Sequence, residues 1–152
     1  MDIKTKVLRL CQKYGTRDPF ALAERLNIII LWERLGSING YYNQCYRQKF
    51  IHINEDLEPY QQRFTCAHEL GHSILHPKAN TPFLRESTLF CVSRLEREAN
   101  CFAAELLCPD EILREYPGYS TAQLAQLLGL REELLAYKQF PEEIENRNTS
   151  IL

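Results

Sequence analysis

The stretch of sequence that decides the fold is RFTCAHELGHSILH, residues 63–76. It contains the pattern His-Glu-x-x-His, with His68 and His72 four positions apart and Glu69 directly after the first histidine. On an α-helix, residues four apart lie on one face, so both imidazoles can reach a single metal ion. Glu69 lies about 100° round the helix from His68. The pattern therefore predicts a metal site with a candidate general base beside it.

The residues around the motif predict two long helices. A helix can run from about Tyr60 to His76, where Pro77 ends it because proline cannot continue the hydrogen-bond ladder. The apolar spacing predicts a second helix from about Ser93 to Leu107. The connection between them, residues 78–92, is long enough to be a functional loop.

A third metal ligand is expected on the second helix, because catalytic zinc sites use three protein ligands and one open position. Glu96 borders the apolar face that contains Ala103, and this face must pack on the first helix. Glu98 lies about 200° round the helix, on the side of Arg94 and Glu105, which we expect to face solvent. We therefore predict Glu96 as the ligand and Glu98 as an ion-pair partner of Arg94.

Two further residues are predicted to support the ligands. Asn100 lies one turn after Glu96 on the same helix edge, and its amide oxygen can accept the spare N–H of a metal-binding histidine. His76 continues the histidine stripe and is expected to support a ligand or anchor a loop. Tyr60, Tyr116 and Tyr119 could offer a hydroxyl to the transition state, but we assign no such role.

The first half of the chain predicts a small sheet with helices. We expect a helix over residues 2–14 and a short helix that opens at Asp18-Pro19. A buried strand is predicted from Ile28 to Trp32, and a β-hairpin from Tyr41–Tyr46 and Lys49–Asn54. The fold class is therefore α+β, with a small, antiparallel-containing sheet packed on the two long helices.

Composition sets the limits of function. The chain has 152 residues, which fits one domain, and 18 Lys+Arg against 20 Asp+Glu give a net charge of −2. This charge argues against nucleic-acid binding by bulk electrostatics. No apolar run approaches the roughly 20 residues of a membrane span, and no secretory signal is visible, so we expect a cytoplasmic protein. The six cysteines contain no C-x-x-C pair and are expected to stay reduced.

The C-terminal segment is open to a DNA-binding interpretation. Residues 120–135 read as helix, glycine turn and helix, which resembles half of a helix-turn-helix unit. Arg131 and Lys138 could contact phosphates, but Glu132 and Glu133 oppose this attraction. We therefore favour helical packing or docking of a repressor over DNA contact. The final residues, 141–152, are expected to form a polar tail.

The segments 63–76 and 96–109, together with GYYNQCYRQKFIHINEDL at residues 40–57, resemble the ImmA/IrrE family of zinc metallopeptidases. The resemblance covers most of residues 18–115. In that family the third ligand is a glutamate followed four positions later by Asn or Asp, which only Glu96 and Asn100 satisfy. Cys108 stands where the family often has methionine.

The resemblance implies a zincin-like minimal metallopeptidase fold. It implies one metallopeptidase domain over residues 1–140, with a core of about 18–115 and a helical, helix-turn-helix-like part at about 118–140. The typical substrate of the family is a helix-turn-helix repressor of a phage or mobile element.

We therefore expect a zinc-dependent endopeptidase in which His68, His72 and Glu96 hold Zn²⁺ and Glu69 acts as the base. Two alternatives stay open: a metal-stabilised module that binds a repressor without cutting it, and a DNA-binding regulator. No membrane partner is expected, and the oligomeric state is left unassigned.

The hairpin over residues 41–54 is also expected to bind the substrate. A peptide beside a metal must be extended, and the edge of a sheet can hold it by adding it as a further strand. Such pairing reads backbone, so selectivity is expected to come from the 78–92 connection and the helices after Pro109.

Overall fold

The computed structural model describes residues 1–81 and 89–144. Its elements in chain order are α1 (Ile3–Tyr14), α2 (Pro19–Arg25), β1 (Ile29–Glu33), β2 (Gly40–Cys45), β3 (Gln48–Asn54), α3 (Pro59–Leu75), α4 (Leu89–Leu107), α5 (Asp110–Glu115), α6 (Thr121–Leu128) and a 3-10 helix (Glu132–Tyr137). The predicted α+β class is confirmed.

Local capping explains where the first helices begin and end. The Asp2 carboxylate accepts a hydrogen bond of 2.7 Å from the backbone N–H of Thr5, and α1 ends at Gly15 in the left-handed conformation. Asp18 caps α2 in the same way, 3.1 Å from the N–H of Phe20, with Pro19 as the first helical residue. These caps satisfy backbone groups that have no partner within the helix.

The sheet has three strands in the order β1-β3-β2. The antiparallel pairing of β2 and β3 is the predicted hairpin, and β1 joins the other side of β3 in parallel. Helices α2 and α3 contact the sheet, and the buried side chains Tyr42, Ile51 and Ile53 face the core. The strand that follows the short helix is thus one edge of the sheet.

The prediction that the strand near Ile28 is buried was wrong. β1 is an edge strand in which Ile29 is 44% and Trp32 47% exposed. Trp32 stacks on Phe20 at 5.6 Å between ring centroids, on the side of α2. The strand appears buried in the sequence because both of its faces carry apolar residues, although three of these four side chains, Ile29, Leu31 and Trp32, are exposed.

Two glycines bring the sheet and the helices close to α3. A Cβ on Gly40 would lie 2.5 Å from the carbonyl oxygen of His52 and 2.6 Å from Cγ2 of Thr65. A Cβ on Gly71 would lie 3.0 Å from Cβ of the fully buried Phe102 on α4. β2 and α4 can therefore approach α3 only because these positions carry no side chain.

The two long helices occur as predicted, with different ends. α3 spans Pro59–Leu75, within one residue of the prediction at each end. α4 begins at Leu89, four residues before the predicted Ser93, so the predicted 78–92 connection is shorter at its C-terminal end. Residues 82–88 of that connection, and residues 145–152 of the predicted tail, lie outside the described residues.

The C-terminal segment does not form the predicted second α-helix after Gly129. It forms the 3-10 helix Glu132–Tyr137, which packs on α4. Lys138 follows it, with Nζ 2.6 Å from Glu105 Oε2 and 2.7 Å from Asp110 Oδ1. The expectation that Glu105 faces solvent was wrong, because docking of this distant segment buries it. Lys138 is buried too, which agrees with the favoured packing rather than with the DNA-contact alternative.

The cysteines whose side chains are described form no disulfide with one another. Cys11, Cys45, Cys66, Cys101 and Cys108 carry free thiols. Burial raises the pKa of Cys66 and of Cys108, so these two thiols have little thiolate character.

Within residues 1–81 and 89–144, no helix combines the length and the apolar composition needed to cross a membrane.

Candidate metal centre

Three side chains meet where α3 and α4 pack together. Nε2 of His68 lies 2.8 Å from Glu96 Oε2, and Nε2 of His72 lies 3.2 Å from Glu96 Oε1. One ligand atom from each residue falls within 4.8 Å of the others. His72 is fully buried and His68 nearly so, whereas Glu96 keeps part of its side chain exposed. The structure thus brings together the three residues that the sequence singled out as ligands.

Asn100 lies on the far side of the first imidazole. Its Oδ1 is 2.8 Å from Nδ1 of His68, so the amide oxygen accepts the Nδ1–H. A histidine that donates from Nδ1 has its Nε2 lone pair free for a metal ion. The position of Asn100, one turn after Glu96, therefore selects the His68 tautomer that metal binding needs.

His76 supports the second imidazole in a similar way. Its Nδ1 lies 3.1 Å from Nδ1 of His72, and its Nε2 lies 2.9 Å from Glu98 Oε2. A chain in which His72 donates to His76 and His76 donates to Glu98 leaves Nε2 of His72 free for a metal ion. Glu98 also pairs with Arg94 at 3.4 Å, as predicted, but its expected place in open solvent was wrong because it contacts His76.

The electrostatics of the cluster favour a cation. Burial works against ionisation of Glu96, but the hydrogen bonds from His68 and His72 outweigh it and hold the pKa of Glu96 well below its usual value. Burial alone would lower the pKa of His68, and the Glu96 and Glu69 carboxylates raise it instead. The carboxylates therefore stabilise positive charge at the position where the three ligand atoms converge.

The donor set fits a divalent transition metal. Two imidazole nitrogens and one carboxylate oxygen are the ligands of catalytic zinc sites such as those of the His₂Glu type. The remaining ring nitrogens of His68 and His72 already have partners in Asn100 and His76. The residues present could therefore hold a metal ion without leaving a buried ring nitrogen unpaired.

Glu69 lies beside the cluster and is almost completely buried, with 1% of its surface exposed. Its Oε2 is 3.5 Å from the hydroxyl oxygen of Thr81, and it lines the same cavity as His68 and Glu96. A carboxylate at the wall of a cavity, next to three metal-binding atoms, can hold or move a proton there.

The cavity over the cluster has a volume of about 380 Å³. Tyr60 lines it, in keeping with its candidate status, whereas Tyr116 and Tyr119 pack on each other with ring centroids 5.0 Å apart. The sequence interpretation missed the opposite wall, which is formed by the segment from Gly129 to Tyr137. Leu130 and Leu134 are spaced as on one face of a helix, but nothing in the sequence indicates that they face α3.

The outer edge of β2 is partly occupied. The backbone N–H of Tyr42 donates to the Thr81 hydroxyl at 2.8 Å, and this hydroxyl lies 3.1 Å from the Tyr42 carbonyl oxygen. Because strand residues alternate, Gly40 also turns its backbone groups away from β3, and Gly40 lines the cavity. The edge beside the cluster is therefore covered at Tyr42, and Gly40, a buried residue, lies at the wall of the cavity.

Comparison with known protein families shows to which family the chain belongs. A family model described as the IrrE N-terminal-like domain, Peptidase_M78, matches residues 23–139. This match spans most of the sequence, and the chain therefore belongs to the ImmA/IrrE metallopeptidase family, as the resemblance predicted.

Two relatives align over nearly the whole chain. The chain is 43% identical over 143 residues to uncharacterized immunity region protein 2 of Bacillus phage phi105, covering 92% of this chain and 90% of the relative. It is 34% identical over 142 residues to metallopeptidase ImmA of Bacillus subtilis strain 168, covering 90% of this chain and 83% of the relative.

A solved structure shares the fold. The chain matches a Mycobacterium tuberculosis transcriptional regulator with a TM-score of 0.59 at 16% identity. The match covers 89% of this chain and 45% of the regulator, so this chain spans less than half of that protein. At this level of identity the likeness concerns the fold alone.

Proposed function

We propose that the protein is a zinc-dependent endopeptidase. The observation that carries the proposal is the meeting of His68, His72 and Glu96 at the wall of an open cavity, with the Glu69 carboxylate beside them. A purely structural metal site is usually closed and rich in thiolates, whereas this cluster has two imidazoles, one carboxylate and open space. We assign the activity to one domain over residues 1–140.

Glu69 is the proposed base. When bound, zinc would polarise the peptide carbonyl and make a water molecule more acidic. The Glu69 carboxylate takes a proton from the attacking water as the new C–O bond forms, and then passes it to the nitrogen of the departing amine as the C–N bond breaks. Asn100 and His76 keep the two imidazoles in the orientation and tautomer that bind the ion.

Zinc is favoured by the mixed nitrogen and oxygen donors, although Mn²⁺, Co²⁺ or Ni²⁺ suit similar ligands. Metal analysis of the purified protein tests the site. Wild type is expected to carry about one zinc per chain, and His72→Ala to lose most of it. Full occupancy in His72→Ala would contradict the ligand assignment.

The proposed substrate is a helix-turn-helix repressor. The name of the phage relative refers to an immunity region, and the family resemblance implies repressors as substrates. The C-terminal segment offers little for DNA contact, because Lys138 is buried against Glu105 and Asp110. Co-expression with the product of the neighbouring reading frame, followed by mass analysis, identifies the substrate and its cleavage site.

We further propose that the substrate backbone pairs with the edge of β2 at Gly40. This residue lines the cavity and has its backbone groups turned outward. A strand added here would hold the peptide extended beside the metal ligands. Thr81 limits the pairing, because it covers the next outward position at Tyr42.

A further inference from the structure

Strand β1 leaves one edge of the sheet uncovered. The Glu33 carbonyl oxygen accepts from the N–H of Glu55, just after β3, at 2.8 Å, so Glu33 turns its backbone toward β3. Because strand residues alternate, Ile30 and Trp32 turn their N–H and C=O groups the other way, out of the sheet. Within the part of the chain that the structure describes, no side chain or further strand bonds to these outward groups.

This edge lacks the protection that is usual in natural sheets. Exposed edges are normally blunted by a charged side chain, a proline or a bulge. Residues 29–32 are all apolar, and Ile29, Leu31 and Trp32 are exposed. The opposite edge differs, because the Thr81 hydroxyl covers the backbone of β2 at Tyr42. The apolar and unprotected edge of β1 therefore favours pairing with another strand.

An open groove of about 600 Å³ runs along the same edge, between β1 and α2. Phe20 and Glu24 of α2 line it, together with Ile28, Ile30 and Trp32 of the β1 segment. Among its described lining residues, Glu24 alone is charged. A strand added to β1 would direct every second side chain into this groove.

We infer that the added strand is β1 of a second copy of this chain. Antiparallel pairing about a two-fold axis at Leu31 places Ile30 opposite Trp32 of the partner subunit. These two residues exchange both of their outward hydrogen bonds, and the symmetry repeats the exchange on the other side of the axis. Every outward backbone group of β1 then has a partner, and the two sheets become one sheet of six strands.

The side chains of this pairing are complementary. Trp32, 47% exposed in the single chain, packs beside Ile30 of the partner subunit at the groove, where its large apolar surface leaves water. On the other face of the sheet, Leu31 meets its own copy, and Glu33 falls opposite the partner's Ile29. The paired strands therefore bring no like charges face to face.

Charge favours a second copy over an unrelated apolar strand. Arg34, the residue after β1, falls opposite Ile28 of the partner subunit, in the part of the groove that Glu24 also lines. The Arg34 side chain is 81% exposed, and its contact with Glu55 is an exposed one of the kind that contributes little. Each copy thus brings a guanidinium toward the carboxylate of the other.

The pairing goes beyond the proposed peptidase function and does not depend on it. None of the residues at this edge lines the cavity over the metal centre. β1 and β2 lie at opposite edges of the sheet, so the two metal centres lie toward the outer edges of the six-stranded sheet. Dimer formation can therefore be measured whether or not the protein cuts a peptide.

Sedimentation equilibrium of the full chain tests the pairing. The interface is small, so we expect a dissociation constant of roughly 10 µM and a mass that rises from one chain to two between about 1 and 200 µM. The mass of one chain at every concentration would overturn the inference and would leave this edge to a strand of another protein.

Leu31 tests the register, because the two-fold axis passes through it. Leu31→Lys places two ammonium groups on directly opposite side chains and should weaken the dimer about tenfold or more, and Leu31→Glu should do the same with two carboxylates. An equimolar mixture of the two variants should regain a dimer, because unlike charges then face each other. A mixture that stays monomeric, or either variant alone dimerising as wild type does, would overturn the proposed pairing.

Leu127→Lys is the matched control, because Leu127 is a 46% exposed leucine on α6 that does not line the groove. Its dimer should be as stable as that of wild type, and an equal loss in Leu127→Lys and Leu31→Lys would contradict the assignment to β1. Melting temperatures show that the variants are folded. Arg34→Glu, at a mostly exposed side chain, gives a second test and should weaken the dimer about threefold or more, whereas an unchanged dimer would contradict the register.

Discussion

Asn100 and His68 are joined by a contact of 2.8 Å between Oδ1 and Nδ1, although they lie on different helices. This contact links the packing of α4 on α3 to the proposed metal site, since it fixes both the rotation and the tautomer of the imidazole. Glu96, one turn before Asn100, approaches Nε2 of the same ring. α4 thus supplies one proposed ligand, Glu96, and orients another, His68.

Replacing Asn100 tests this relationship. Asn100→Ala should reduce zinc affinity by about 10- to 100-fold, because Nδ1–H of His68 loses its acceptor. Asn100→Asp keeps an acceptor oxygen and should retain more of the affinity. Competition with a chromogenic chelator measures both. Unchanged affinity in Asn100→Ala would show that the contact does not support metal binding.

Glu96 and Glu98 form a matched pair two positions apart. Glu96→Gln should lower zinc affinity far more than Glu98→Gln, because only Glu96 approaches both Nε2 atoms. Glu98→Gln retains an oxygen that can accept from His76 and should cost less than about tenfold. The same chelator competition compares them, and the reverse order would mean that the third ligand is misassigned.

The close contact of Gly71 with Phe102 predicts an overpacking effect. Gly71→Ala places a methyl group 3.0 Å from Cβ of a fully buried side chain. The expected loss of unfolding free energy is about 1–3 kcal/mol, even though alanine favours a helix by roughly 1 kcal/mol. Denaturant unfolding measures this loss.

A double-mutant cycle supplies the control for Gly71. Phe102→Leu makes space, so the Gly71→Ala change should cost less in that background than in wild type. Additive effects of the two substitutions would show that the helices do not depend on this close approach.

The buried ion pair of Lys138 should be far more important than an exposed one. Lys138→Met leaves the Glu105 and Asp110 carboxylates without their shared cation, and about 3–5 kcal/mol of stability should be lost. Arg114→Met removes the exposed pair with Glu143 and should leave the unfolding free energy nearly unchanged. Equal costs in denaturant unfolding would contradict the anchoring role of Lys138.

Patterns that depend on one element could be predicted from the sequence. Helical spacing places His68 and His72 on one face of α3. The angular positions of residues around α4 separate Glu96 from Glu98, because the apolar face of α4 must pack on α3. The hairpin and the caps at Asp2 and Asp18 also follow from local signals, although Asp2 was not singled out.

Contacts between distant segments could not be predicted in this way. The side chains that share the face of Glu105 on its own helix are those of a solvent-exposed face. Glu105 is buried because Lys138, 33 positions later in the chain, packs against it. Leu130 faces α3 because it belongs to the same distant segment. β1 reads as a buried strand because both of its faces are apolar, and the sequence does not show that it lies at an edge of the sheet.

If the protein hydrolyses a peptide bond with Glu69 as the base, loss of the Glu69 carboxylate must abolish cleavage. The proposed substrate, the product of the neighbouring reading frame, is examined by mass analysis after incubation with wild type or with Glu69→Gln, at equal zinc content. Glu69→Gln keeps the shape of the side chain and the proposed ligands but removes the base. We expect a defined cut by wild type and none by Glu69→Gln. Relief of repression by Glu69→Gln as effective as that by wild type, with the repressor intact in both, would contradict it and indicate a module that binds without cutting.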